Sequence, residues 1–196
     1  MWVLAIIVVA SAHADAKAKE YRVDQTLFQL PESVVDYYDR KGQSVLSLVF
    51  SLPDVVPLGP YSEDPAKHAP AKVVYAAIKK SSKIPLNIFE DRLEAEGMLR
   101  LTPYDCDLQQ IDPTLIIGSD QKGENPGARE FIGMLDGQRV VIYCGGFRHS
   151  ELLPRCKYDY AAPRYLVRLD IPYTFLCSWR KIMSKAVYYA SSHEVK

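Results

Sequence analysis

Apolar and polar positions alternate along much of this chain, and period-two alternation is what a strand with one buried face produces. The clearest case is 164–171. Tyr165, Val167, Leu169 and Ile171 fall on one side, and Arg164, Arg168 and Asp170 on the other. With 156–160 before it and Ala161-Ala162-Pro163 between, this stretch predicts a half-exposed antiparallel hairpin. A second hairpin is predicted from 130–135 and 139–144, because Asp136-Gly137 between two apolar runs suits a tight turn. Residues 44–52 are apolar on both sides and predict a central strand. Residues 27–38 predict a strand that Pro31 confines to an edge, while 72–78, 99–108 and the short 114–118 predict further strands. Residues 15–26 read as a polar leader.

The helical period shows in two places. Ile88, Leu93 and Met98 predict a short helix over 87–96. After Pro172, which suits a helix start, Phe175, Leu176, Trp179, Ile182, Met183, Ala186, Val187 and Ala190 fall on one stripe. The expected class is therefore α+β: a mainly antiparallel sheet or small β-sandwich, with a C-terminal helix packed on it. Five prolines in 51–71 predict a long surface loop over 53–70, and loops of that length tend to carry function.

The N-terminus changes the chemistry that is available. Residues 2–10 are uninterrupted apolar, and Ala12-His13-Ala14 supplies a small-x-small cleavage site. The expectation is a signal peptide over 1–14, leaving 15–196 as a single α+β domain, exported to the periplasm. The apolar run is too short to span a bilayer, which takes roughly 20 residues, and no later stretch is longer. No cysteine follows the cleavage site, so a lipid anchor is not expected. Net charge is zero, which supplies no long-range attraction for nucleic acid.

The stretch YCGGFRHSELLPRC, residues 143–156, can be read three ways. Cys144 could be a nucleophile, with His149 as base and Glu151 to orient it. Cys144, His149 and Cys156 could ligate a metal, although no CxxC or HxxxH completes a tetrahedral shell. Or Cys144, ending one strand, and Cys156, beginning the next, could form a disulfide. Export favours the disulfide, since an even cysteine count in an oxidising compartment is normally paired. A loop of that size stabilises by about 3 kcal/mol in the entropic account. Cys106 and Cys177 are then expected to pair and fasten helix to sheet, with two buried free thiols as the alternative.

Motifs of enzymes are missing: there is no GxSxG, HExxH, Walker loop or GxGxxG. The acidic group Glu90, Asp91, Glu94 and Glu96 reads as a solvated helix face. Asp112, Asp120, Glu124 and Asn125 do not have EF-hand spacing. No cofactor and no metal are expected. The chain has thirteen tyrosines, too many for the core alone, and Tyr and Arg are favoured at protein interfaces. The candidate partner-binding residues are Tyr61 and His68 in the Pro-rich loop, Phe147, Arg148, His149 and Glu151 in the loop 145–155, and Arg164 and Arg168 on the last hairpin.

Several of these features recur in a particular order: Leu52-Pro53-Asp54 with Pro57, the DGQ..V.IYC strand, a P.C.Y.Y hairpin, and Leu176, Trp179 and Ile182 in a terminal helix. In this the chain resembles small periplasmic proteins of proteobacteria encoded beside type VI secretion toxins and taken to be immunity proteins. The resemblance implies a non-enzymatic inhibitor whose partner is a secreted toxin, with no catalytic residues to carry over. Two rival readings are an exported hydrolase using Cys144 or His149, and a structural, envelope-associated module.

Overall fold

The computed structural model describes residues 18–39, 45–60, 69–81, 88–112, 128–145 and 153–195. Its strands are β1 (Ala18–Val23), β2 (Thr26–Pro31), β3 (Val35–Tyr38), β4 (Val45–Ser51), β5 (Val56–Leu58), β6 (Val73–Lys80), β7 (Leu101–Tyr104), β8 (Leu108–Ile111), β9 (Arg129–Leu135), β10 (Gln138–Gly145), β11 (Arg155–Ala161), β12 (Tyr165–Pro172) and β13 (Glu194–Val195). The helices are α1 (Ile88–Ala95) and α2 (Trp179–Ser192), and a 3-10 segment, Tyr173–Ser178, leads into α2. A ten-stranded sheet runs β3-β4-β6-β12-β11-β10-β9-β8-β7, with β5 paired to β4; a smaller sheet runs β1-β2-β13. Every pairing is antiparallel.

The expected α+β class is corrected to a mainly β class. Thirteen strands stand against two α-helices among the described residues, and only α2 enters the main core. The architecture is sandwich-like antiparallel sheet carrying a C-terminal helix. The sequence pattern undercounts strands because several are short or highly charged. β1 was expected to be leader, yet Tyr21 and Val23 point into the core while Ala18, Glu20 and Arg22 are exposed. Pro31 does not mark one edge strand; it ends β2, and the chain re-enters as β3 in the other sheet. β5 takes up the beginning of the Pro-rich stretch, and its Pro57 lies on a strand paired on one side only, where a missing N–H is tolerated. The predicted strand 99–108 is a hairpin, β7 and β8, turning through Asp105, Cys106 and Asp107. Residues 1–14 and 114–118 lie outside the described residues.

One buried cluster joins the two sheets and α2. It holds Tyr21, Val23, Phe28 and Leu30 from the small sheet. The large sheet adds Leu46, Leu48, Phe50, Val74, Ile78, Ile142, Tyr158, Val167, Leu169 and Ile171, and α2 adds Trp179, Ile182, Met183, Ala186 and Ala190. Edge-to-face aromatic pairs fasten the layers: Phe28 on Tyr165, Phe50 on Tyr189 and Tyr158 on Trp179. α1 lies outside this cluster and is tied to β10 through Arg139, which bonds Asp91 at 3.1 Å and Glu94 at 2.7 Å.

The deepest fit is at Trp179, fully buried against β9. A Cβ added at Gly133 would stand less than 3.0 Å from the indole and from Leu108. Glycine is needed there for close approach and not for its backbone freedom. Around the indole, the Tyr158 hydroxyl donates to the Trp179 carbonyl at 3.1 Å. Arg180 stacks over the ring and donates to the Met134 carbonyl at 2.9 Å.

Gly133→Ala is expected to destabilise by about 1–3 kcal/mol through overpacking, read as a lowered denaturant midpoint. A loss within about 0.5 kcal/mol, the range of neutral surface changes, would mean that the indole does not rest on β9. Burial also raises the phenol pKa of Tyr158, and that of Tyr165 to about 12, so the unfolded chain ionises first as pH rises. Stability should hold below about pH 10, the ordinary phenol value, and fall from there through about 12 as these phenols ionise. Circular dichroism should lose the folded signal across that window; ionisation of every phenol, Tyr158 and Tyr165 included, with the fold intact would contradict it.

Candidate functional site

Alternation that turns one row of side chains into the core turns the next row out. The register defines two outward rows across the ten-stranded sheet. The first runs Tyr37, Ser47, Ala77, Arg168 and Asp159 across β3, β4, β6, β12 and β11. The second runs Val49, Tyr75, Asp170, Lys157 and Tyr143 across β4, β6, β12, β11 and β10. Between them lies a groove of about 280 Å³, lined by Asp36, Ser47, Tyr75, Ala77, Lys157, Arg168 and Asp170, with Leu48 and Ala76. Small residues form its floor and charged ones its walls.

Two arginines on this face have different roles. Arg155 is held from every side: its guanidinium bonds the Asp170 carboxylate, the Asp170 carbonyl at 2.7 Å, the Val73 carbonyl at 3.2 Å and the Pro70 carbonyl at 2.6 Å. It also stacks over the Tyr75 ring. Arg155 therefore joins β11, β12 and the segment Pro70–Lys72 where the Pro-rich stretch returns to the sheet. Arg168 is 46% exposed and pairs bidentately with Asp159, both contacts at 2.6 Å, which raises its already high pKa. Lys79, on the same face, has its pKa lowered, first by burial and then by the Arg168 charge.

The candidate residues read from sequence separate here. Tyr61, His68, Phe147, Arg148, His149 and Glu151 lie outside the described residues. Arg168 is in the groove wall, whereas Arg164 precedes β12 and pairs with Glu194 of β13, anchoring the C-terminal strand. The structure does not bring these two arginines together. The tyrosines of the 156–170 hairpin do not add to this surface: Tyr165 turns inward with Val167 and Leu169, as the alternation predicts, Tyr158 is buried as well, and Tyr160 is half-buried. On the grooved face an exposed aromatic is Tyr37, 57% accessible and level with the groove floor, while Tyr188 of α2 is exposed elsewhere. Tyr37, Tyr75, Lys157, Asp159 and Asp170 were missed. Period-two reading gave Arg168 and Asp170 an outward direction, but their neighbours come from strands distant in sequence.

Both cysteine pairs are disulfides. Cys144 and Cys156 are cross-strand partners, buried, with Cα atoms 4.0 Å apart. Cys106, at the β7–β8 turn with φ 67°, joins Cys177 just before α2. Cys144 therefore has no thiol to offer as a nucleophile. Among the described residues no group of three His, Cys, Asp or Glu side chains is placed to hold a metal. A second, larger groove of about 690 Å³ borders the Cys106 turn, beside Tyr104, Asp107, Met134 and Arg139. The stretch Leu52-Pro53-Asp54 is a corner: Leu52 N–H bonds the Lys72 carbonyl at 2.8 Å, and the Asp54 carbonyl accepts from Lys185 of α2 at 2.6 Å. Its role in the described structure is architectural.

Fold and surface together define a mainly antiparallel β scaffold with a polar, grooved outer face and two internal disulfides. Two solved structures share that fold. One is Smlt3025, an immunity protein of the Stenotrophomonas maltophilia type IV secretion system, with a TM-score of 0.70 and 15% identity, covering 92% of this chain and 94% of that one. The other is FrpD, an iron-regulated outer membrane lipoprotein of Neisseria meningitidis, with a TM-score of 0.55 and 12% identity, covering 90% and 92%. No protein-family model matches the chain, and no curated protein matches it significantly. The expected immunity-like fold is found; the type VI assignment gains nothing, since the solved immunity protein serves a type IV system.

Removing the Arg155 side chain (Arg155→Met) takes a partner from the Asp170 carboxylate and from three carbonyls, and should cost about 2–3 kcal/mol. Arg168→Gln removes an exposed pair and should cost under about 1 kcal/mol. Urea denaturation of the two variants checks this; equal losses would erase the distinction between clamp and surface.

Proposed function

We propose that this chain is an exported, non-enzymatic binding protein that inhibits a secreted toxin. The observation that carries the reading is the likeness to Smlt3025, at a TM-score of 0.70 over nearly all of both chains. In this reading residues 1–14 are the signal peptide and 15–196 the mature domain in the periplasm. The two disulfides support an oxidising compartment. The secretion route of the toxin is not part of the proposal.

The toxin would meet the outer face of the sheet and the two loops that leave its Arg155 end. The loop carrying Tyr61 and His68 returns through Pro70, whose carbonyl Arg155 holds, and the loop carrying Phe147, Arg148, His149 and Glu151 returns into β11 at Arg155 itself. Arg168 belongs to the same surface. Inhibition would follow from covering the toxin's active site, which requires no chemistry from this chain. FrpD, at the lower TM-score, favours the second reading, an envelope-associated module.

Co-expression with the product of the neighbouring gene, tested as the toxin, should yield a complex stable through size-exclusion chromatography and should rescue a host sensitive to that product. Survival no better than with an empty vector, and no complex, would remove the inhibitor reading. In the same preparation, unreduced protein from the envelope should leave Cys144 and Cys156 resistant to alkylation. A reactive Cys144 would reopen the hydrolase.

A further inference from the structure

The groove on the outer face has a polarity that its residue list hides. It is lined by two carboxylates, Asp36 and Asp170, and two cations, Lys157 and Arg168. The acceptors are committed. Asp170 takes the Arg155 guanidinium, and Asp159 takes two N–H groups of Arg168. Asp36 has an interaction of its own. The donors are committed less completely. Lys157 is 61% exposed, and among the described residues its ion pair is to Asp170 at 3.9 Å, beyond hydrogen-bond reach. Arg168 engages Asp159 through Nε and Nη2, and its Nη1 has no bond to a described residue. Lys79 on the same face is held below its ordinary pKa first by burial and then by the Arg168 charge, with Asp159 opposing and Lys157 adding a smaller push.

Shape agrees with charge. Tyr37 and Arg168 stand on β3 and β12, three strand spacings apart, or about 14 Å at the usual separation. Between them the floor is Ser47 and Ala77, low enough for a side chain to lie across. The tyrosine and the arginine that flank this floor are of the types enriched at the energetic centre of protein interfaces.

We propose that this groove is the contact centre of the surface and takes an acidic segment of the partner, a Glu or Asp carboxylate lying between Lys157 and Arg168 with neighbouring partner atoms against Tyr37. The proposal rests on the reading of the chain as a binding protein and names the partner chemistry of that face. A basic segment would find both groove carboxylates already engaged.

The test is an amide-resolved NMR titration of the protein purified from the envelope fraction, with a synthetic hexapeptide of alternating Glu and Gly and, in parallel, its Lys and Gly counterpart. The expected result is shifts confined to Ser47, Ala77, Lys157 and Arg168 with the Glu peptide, absent from Lys157→Gln/Arg168→Gln protein whose other amides are unmoved. Should the double variant lose its fold, Lys157→Gln alone is expected to halve the shifts or more. Equal or larger shifts with the Lys peptide, or Glu-peptide shifts scattered over the surface or missing, overturn it. With the toxin, K157E/R168E should weaken binding tenfold or more. A chain that takes the Glu peptide but no toxin keeps the groove and loses the inhibitor; unchanged toxin affinity in K157E/R168E keeps the inhibitor and loses the groove.

Discussion

The structure depends on one large side chain finding one missing one. Trp179 occupies the space above Gly133 on β9, and no other residue type at 133 leaves room for the indole. That contact fixes where α2 begins, because the residues before and after it are tied down as well. Cys177 is bonded to Cys106, and Arg180 reaches the Asp107 carboxylate at 3.0 Å and the Asp107 carbonyl at 3.2 Å. The disulfide links residues 71 apart in sequence, a loop whose closure is worth about 4 kcal/mol in the entropic account. The β7–β8 hairpin is thereby held to the start of α2 by a covalent bond, an ion pair and the packing of Leu108 beneath the indole.

With α2 fixed, the helix stripe Ile182, Met183, Ala186 and Ala190 decides which face of the large sheet is inner. Each strand then turns its main apolar row toward that stripe, and the alternate row faces out, partly to water and partly covered, as at the buried Val49, Val73, Ile132 and Leu166. Function on such a scaffold has to be built on the outer rows or on the loops. The two arginines show the division. Arg155 is spent on structure, holding the corner where β11, β12 and the returning Pro-rich segment meet. Arg168, two outward rows further along, makes an exposed pair with Asp159 and can exchange solvent for a partner at little cost.

How much of this the sequence carried follows from the range of the interactions. The 130–144 hairpin, the 156–171 hairpin and the stripe on α2 were legible because a tight turn or a fixed period announces each within a dozen residues. β1 was not, because Lys19, Glu20 and Arg22 mask an alternation carried by Tyr21 and Val23 alone. β13 was not, since two residues hold no pattern and its existence depends on β2 being free to pair. The grooved face was half legible: the direction of Arg168 follows from period two, whereas Tyr37 and Ser47 join it only through pairings β3–β4, β4–β6 and β6–β12. The inward tyrosines show the limit of composition. Phenol counts suggested an exposed aromatic surface, but Tyr158 and Tyr165 alternate in step with Val167 and Leu169 and go where those residues go.

The same division explains how the fold can persist at 15% identity with Smlt3025. The constraints that specify this scaffold are an inward row per strand, a glycine under a tryptophan, and turns such as Asp136-Gly137, where φ is positive at both positions. Apolar residues of similar volume exchange freely within those rows at modest cost, so most inward positions need only remain apolar. Outward positions carry almost no folding constraint. They can be rewritten to suit a particular partner without disturbing the core, provided that clamps such as Arg155 and Asp170 are kept. A shared fold at low identity therefore speaks for the scaffold, and the chemistry of the partner has to be read from outward side chains whose hydrogen-bonding capacity the fold leaves unused, as at Lys157 and Arg168.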